Sequence, residues 1–190
     1  MSRLFLSMLV LLALMFPAFG LSQDKPSKTQ TSPTSPKTDR EIDPDKPGGP
    51  ARTPPPPYGQ AITLDQAKKV MAGAEAEAKK NKWNVVICIL DSGGNIVILS
   101  RMDGAQFGSI EVAHEKAYSA VAFRRPTKAF EDAIGQGGAN LRVLRLPGAS
   151  TFEGGLPIVV DGKLIGAVGV SGVTAPQNAQ IGRAGIEAVK

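Results

Sequence analysis

The 190-residue chain contains one histidine and one cysteine, so imidazole chemistry must run through His114 and thiol chemistry through Cys88. A neutral imidazole serves as a metal ligand or, near neutral pH, as a general acid or base. His114 lies in a run where Ile110, Ala113, Ala117 and Val121 recur at helical spacing, with Tyr118 in the same band. That spacing predicts an apolar stripe facing a crevice between a helix and a sheet. Glu111, three residues earlier on the same side, is placed to orient a ring nitrogen. The plainer reading is a core histidine satisfied by a backbone carbonyl. Met102 carries a thioether and Tyr118 a phenol, both of which can ligate iron, but ordinary packing is the stronger reading of each. Cys88, between Ile87 and Ile89, reads as a small buried hydrophobe. Glu153, just before Gly154-Gly155, sets a carboxylate beside exposed backbone amides at a pocket rim, or belongs to a loop that simply needs glycine.

Several function classes are excluded at this level. One Cys and one His cannot form a zinc site from those residue types alone, and one cysteine gives no intrachain disulfide framework. No Walker loop, HExxH motif, nucleophile elbow or correctly placed dinucleotide fingerprint occurs. The net charge is +5, but residues 61–190 carry only +3, a weak signal for nucleic acid. With 5% aromatic residues, a large base-stacking surface is not expected either.

The elements that must position these groups begin at Thr63. Thr63-Leu64-Asp65-Gln66 is a capping-box pattern opening a helix over about 64–82. The β-branched run 85–90, the turn Asp91-Ser92-Gly93-Gly94-Asn95 and residues 96–101 predict a hairpin. Ser109 is the expected cap of a helix over 109–123, with Val112 and Phe123 on a second side suited to a neighbouring subunit. Thr127 is the expected cap of a short helix to about 134. A glycine loop and a short helical piece over 140–144 follow, then an edge strand over 149–153. Strands over 156–160 and 164–170 flank an Asp161-Gly162 turn. Thr174-Ala175-Pro176-Gln177 opens a last helix to about 189. The order is α-β-β-α-α-β-β-β-α, an α+β domain with an antiparallel sheet and packed helices. Gly166, Gly169 and Gly172 in one strand region predict close approach by another backbone or a helix.

Ahead of this domain the chain changes character. Residues 1–20 read as an export signal: Arg3, an apolar stretch from Leu4 to Phe16, and small residues before a cut at Leu21. An uncleaved anchor is the alternative, although the stretch is short for a membrane span. A secreted or periplasmic location is therefore expected. Residues 21–60 hold 10 of the 15 prolines and few large apolar side chains, so they read as a disordered linker or tether. The domain is expected over 61–190.

Five ordered motifs carry a resemblance. They are Leu90-Asp91-Ser92-Gly93-Gly94, Arg101-Met102-Asp103-Gly104-Ala105, Ala113-His114-Glu115-Lys116-Ala117-Tyr118, Gly154-Gly155-Leu156-Pro157-Ile158, and the run Ile165 to Gly172. Together they resemble the GlcG/HbpS-like family of heme-binding and heme-degrading proteins, over about residues 61–190. The resemblance implies a five-stranded antiparallel sheet flanked by helices, assembly into dimers or larger oligomers, and heme as cofactor. It adds weight to His114 as an axial iron ligand; with heme as the ligand, side-chain chemistry offers Met102 as a weak sixth ligand, Tyr118 as a phenolate, and Arg101 or Lys116 as partners of the propionates. Asp103-Gly104 more simply makes a turn. The chain departs from the family pattern after the Val-Ser-Gly strand. There the family commonly carries acidic residues, whereas this chain has Thr174-Ala175-Pro176-Gln177-Asn178-Ala179-Gln180.

The expectation is an exported, oligomeric heme-binding protein, with heme degradation or an accessory part in heme sensing as extensions. Two alternatives stand beside it: an enzyme using His114 as acid or base on a small organic acid, and a non-catalytic oligomeric module docking on a membrane sensor.

Overall fold

The computed structural model describes residues 53–190. The expected export signal and most of the linker lie outside the described residues. The elements are α1 (Leu64–Lys80), β1 (Val86–Asp91), β2 (Ile96–Arg101), α2 (Ser109–Phe123), α3 (Lys128–Gln136), β3 (Gly155–Val160), β4 (Lys163–Ser171) and α4 (Ala175–Glu187), with a 3-10 helix over Gly138–Arg145. The strands form one antiparallel sheet in the order β2-β1-β4-β3. Pro157 is tolerated because β3 is an edge strand, where one side of the chain needs no ladder donor.

Strand periodicity divides the core into two layers. In β1, Ile87 and Ile89 face α1 and α4, where they join Val70, Ala74, Val168, Val170 and Ile181. Val86, Cys88 and Leu90 point the other way, toward Ala113, Ala117, Ala120 and Val121 of α2. The small residues of α2 let it sit very close to the sheet. A Cβ added at Gly169 would lie 2.0 Å from Ala113 O, and one at Gly155 would lie 2.2 Å from Lys116 O. Of the three glycines expected to admit close approach, Gly169 meets the α2 backbone, whereas a Cβ at Gly166 would lie 2.3 Å from Leu90 O of β1 and one at Gly172 2.6 Å from Asn84 O.

The Thr63–Gln66 capping box forms, with the Thr63 N–H donating to Gln66 Oε1 at 3.0 Å and the Gln66 N–H to Thr63 Oγ1 at 3.2 Å. At α4, the Thr174 N–H donates to Gln177 Oε1 at 3.2 Å.

Three expectations are corrected. The sheet has four strands: within 149–153 the Ala149 N–H turns back to Leu146 O at 3.2 Å, and two further amides go to side chains, so no ladder forms. The Ser150 N–H donates to Ser119 Oγ at 2.9 Å and the Glu153 N–H to Glu131 Oε2 at 2.6 Å. Ser109 does not cap α2; Gly108 holds that position, and the buried Ser109 hydroxyl meets Ser171 Oγ at 3.3 Å. Thr127 does hold the N-cap position of α3, but its side chain makes no cap hydrogen bond, since its Oγ1 accepts the Gly155 N–H at 3.0 Å. Phe123, half-buried on the second side of α2, packs edge-on against Phe130 with ring centroids 5.1 Å apart.

The ordered domain also starts before residue 61. Leu164 N–H donates to Pro57 O at 2.8 Å and Gly59 N–H to Leu164 O at 2.7 Å, making a short parallel bridge at Tyr58. Tyr58 Oη donates to the α2 carbonyls of Val121 and Ala122 at 3.0 and 3.1 Å. Arg124 lies over the Tyr58 ring at 5.3 Å and donates to Pro56 O at 3.4 Å. Prolines lack an N–H but keep a carbonyl acceptor, so a proline-rich segment can dock in this way.

Candidate functional site

Helix α2 presents different chemistry on different sides. The sheet side is closed by Ala113, Ala117, Ala120 and Gly169, which leave no room for an imidazole. His114 is half-buried on another side and, with Glu115, Tyr118, Gly148, Ala149 and Ser150, lines an open cavity of about 360 Å³. The expected crevice between helix and sheet is therefore a cavity between α2 and the 148–150 segment. Among the described residues the His114 ring makes no hydrogen bond. Glu111 is exposed and does not orient it.

The cavity walls have clear causes. Ser150 is fixed on α2 through Ser119, and both are buried. Gly148 adopts φ +77°, a conformation natural to glycine, and a Cβ there would stand 2.8 Å from the Tyr118 ring. The opposite edge of that ring faces Gly94, whose Cβ would lie 3.5 Å away. Tyr118 is thus held edgewise between the 148–150 segment and the β1–β2 turn, with 44% of its surface exposed.

Lys116, two residues from His114, belongs to a separate cluster. It is 3% exposed, and its Nζ donates to Val170 O at 3.1 Å. Burial lowers its pKa to about 8, against the opposing pull of the Glu131 and Glu153 carboxylates. Glu153 is also buried, 3.8 Å from Arg183, and the adjacent Gly155 amide is bound by Thr127. Glu153 therefore sits in a packed junction and not at the rim of the His114 cavity.

Arg101 and Met102 stand at the end of β2. Arg101 is exposed opposite Val86, and Met102 packs against the α1–α4 layer. Neither lines the cavity. Asp103-Gly104 makes the expected turn, with the Ala105 N–H on Met102 O and Gly104 at φ +78°. Cys88 is buried, which pushes its thiol pKa up to about 12. The Gly93, Gly94 and Asn95 amides of the Asp91–Asn95 turn are taken by Asp91 itself, so these three offer no anion cradle. Among the described residues no group of three or more His, Cys, Asp or Glu could hold a metal ion, and no helix is long and apolar enough to cross a membrane.

Residues 62–187 match the family model described as "Haem degrading protein HbpS-like". The chain belongs to the HbpS-like family. Protein GlcG of Escherichia coli (strain K12) is 40% identical to the HbpS-like domain over 110 residues, covering 58% of this chain and 81% of GlcG. The solved PduOC:heme complex superposes with a TM-score of 0.63 at 30% identity, covering 68% of this chain and 96% of that one. A doubly substituted HbpS from Streptomyces reticuli gives a TM-score of 0.63 at 28% identity, covering 74% and 99% respectively.

The HbpS-like match begins at residue 62, so the docked segment carrying Tyr58 lies ahead of it. Sequence reasoning missed Gly148, Ser119 and Ser150. The Pro147-Gly148 pair was a visible turn signal, but nothing in the sequence said which helix that turn would face.

Proposed function

We propose that this HbpS-like domain binds heme in the cavity between α2 and residues 148–150, with His114 as the iron ligand. The observation that carries the reading is a half-buried imidazole, free of hydrogen bonds among the described residues, on the wall of an open cavity shared with an aromatic ring. A single imidazole suits a metal that arrives with a ligand set of its own, as iron does in a porphyrin. The volume of about 360 Å³ falls at the lower end of small-molecule sites, and the open mouth lets a wider planar ring project. The family match and the heme complex of PduOC support the same ligand.

Bound heme would supply a redox-active iron; the protein's own residues do the positioning. The α2 backbone, seated on Gly155 and Gly169, sets the height of His114 above the sheet. Tyr118 offers a ring face for stacking and a hydroxyl as donor. Ser119 and Ser150 hold the opposing wall in place. Lys116 is engaged with Val170, away from this cavity, and takes no part in the site proposed.

We further propose export and self-assembly. Support for export is the apolar stretch from Leu4 to Phe16 behind Arg3, and support for assembly is the exposure of Phe107, Phe152 and Leu144. Heme degradation or a part in sensing would extend the binding function. Acid–base chemistry on a small organic acid is a second reading, favoured by Glu115 lining the same cavity as His114.

The test is a heme titration of the full chain, wild type beside His114→Ala, followed by visible absorption. Saturation near one heme per chain is expected. In the variant, a displaced Soret band and at least about a tenfold weaker affinity are expected, the loss of one good ligand interaction. Equal affinity and an unchanged spectrum would remove His114 from the site. Incubation in air with a reductant then separates stable binding from ring opening.

A further inference from the structure

A second cavity, of about 280 Å³, lies on the far side of Tyr118 and is lined by Tyr58, Ser92, Gly93, Gly94, Val121 and Ala122. Tyr118 is common to both cavities: its Gly148-facing edge borders the first and its Gly94-facing edge the second. One aromatic ring therefore partitions a longer groove running along α2 from His114 toward Ala122. The far end of that groove depends on the segment ahead of the family domain. Tyr58 is held there by its hydroxyl on Val121 O and Ala122 O, by Pro57 and Gly59 on Leu164, and by the Arg124 guanidinium over its ring.

We infer that residues 56–60 form a strap that completes the ligand site, with Tyr58 closing a second compartment that receives the edge of a planar tetrapyrrole extending past Tyr118 from His114. This rests on the heme reading above and adds a specificity-determining residue to it. The walls fit such an edge: two tyrosine rings, apolar Val121 and Ala122, and glycine backbone that allows close approach. The Gly93, Gly94 and Asn95 amides are already bound by Asp91, so the compartment selects by shape and ring contact and not by anion capture.

Heme affinity and heme release from the full chain test this with Tyr58→Ala, Tyr58→Phe and Ala122→Trp. Tyr58→Ala removes the wall and is expected to weaken binding about tenfold and speed release, with the His114-dependent Soret position unchanged. Tyr58→Phe keeps the ring and should stay within about threefold of wild type. Ala122→Trp fills the compartment from α2 without touching the strap and should weaken heme about tenfold, so the idea is tested even if Tyr58→Ala fails to fold. Wild-type affinity and release in a folded Tyr58→Ala, or in Ala122→Trp, would overturn the strap while leaving heme binding through His114 intact. No saturable heme binding by the wild type would remove the reading beneath it, and the strap with it.

Discussion

Gly169→Ala probes the contact on which fold and site both depend. The added Cβ would lie 2.0 Å from Ala113 O, 2.5 Å from Ala117 N and 3.0 Å from Ala117 Cβ. The first two atoms belong to the helical turn that carries His114. Neither β4 nor α2 can yield alone: β4 is paired on both sides, with Cys88 and Gly155 opposite Gly169. Relief requires α2 to lift by about 1 Å, an overpacking change that typically costs about 1–3 kcal/mol. Disturbing the backbone hydrogen bond of that turn adds about 1 kcal/mol. The expected total is about 3 kcal/mol, or roughly 10 °C in Tm for a domain of this size. Thermal and urea unfolding followed by circular dichroism would measure it. Gly135→Ala is the control: nothing lies within 4 Å of its added Cβ, so it should be neutral or stabilising by about 0.5 kcal/mol. A Gly169→Ala variant melting within about 2 °C of wild type would refute so close a seating of α2. The folded fraction of the variant should also bind heme more weakly, because His114 moves with its turn.

Two further predictions concern buried titrating groups. Lys116 has a folded pKa lowered to about 8 by burial, against an ordinary 10.5, so between those values the unfolded chain holds more protons and stability rises with pH. Lys116→Met should flatten that rise in a series of urea midpoints from pH 7 to 11, and an identical pH dependence in both proteins would contradict the burial argument. Cys88, with its thiol pushed up to about 12 by burial, should not react with an aromatic disulfide reagent at pH 8 until urea unfolds the domain. Rapid labelling in native buffer would show that β1 is not the closed central strand described.

What the sequence revealed was set mainly by local physics. The Thr63–Gln66 and Thr174–Gln177 helix starts were legible because a capping pair is complete within four residues. Both hairpins were legible for the same reason, the Asp91 side chain and Gly94 closing one turn by themselves. Ser109 and Thr127 misled because their hydroxyls were claimed by distant partners, Ser171 and the Gly155 amide. The fifth strand failed likewise: residues 149–153 have strand-like composition, but the Ala149 amide turned back to Leu146 O and those of Ser150 and Glu153 found Ser119 and Glu131. The candidate site was half legible. Periodicity put His114 and Tyr118 in one band, and the structure places both on one cavity. The same motif reading joined Lys116 and Arg101 to them, although Lys116 turns into a buried junction and Arg101 ends an edge strand.

The divergence of His114 and Lys116 follows from helix geometry and from what each side of α2 meets. Residues two apart on a helix point to nearly opposite sides, so they cannot serve one compact ligand without a bend. Lys116 is directed to Val170, where Glu131 and Glu153 partly offset the cost of burying its charge. That junction includes Glu153, three residues along the chain from Ser150 in the cavity wall, and Glu153 is in turn anchored to Glu131 through its amide. Lys116 thus touches the site only at one remove, through the junction from which the 148–150 wall projects. The motif around His114 is one helix with a cavity side, at His114 and Tyr118, and an anchoring side, at Lys116.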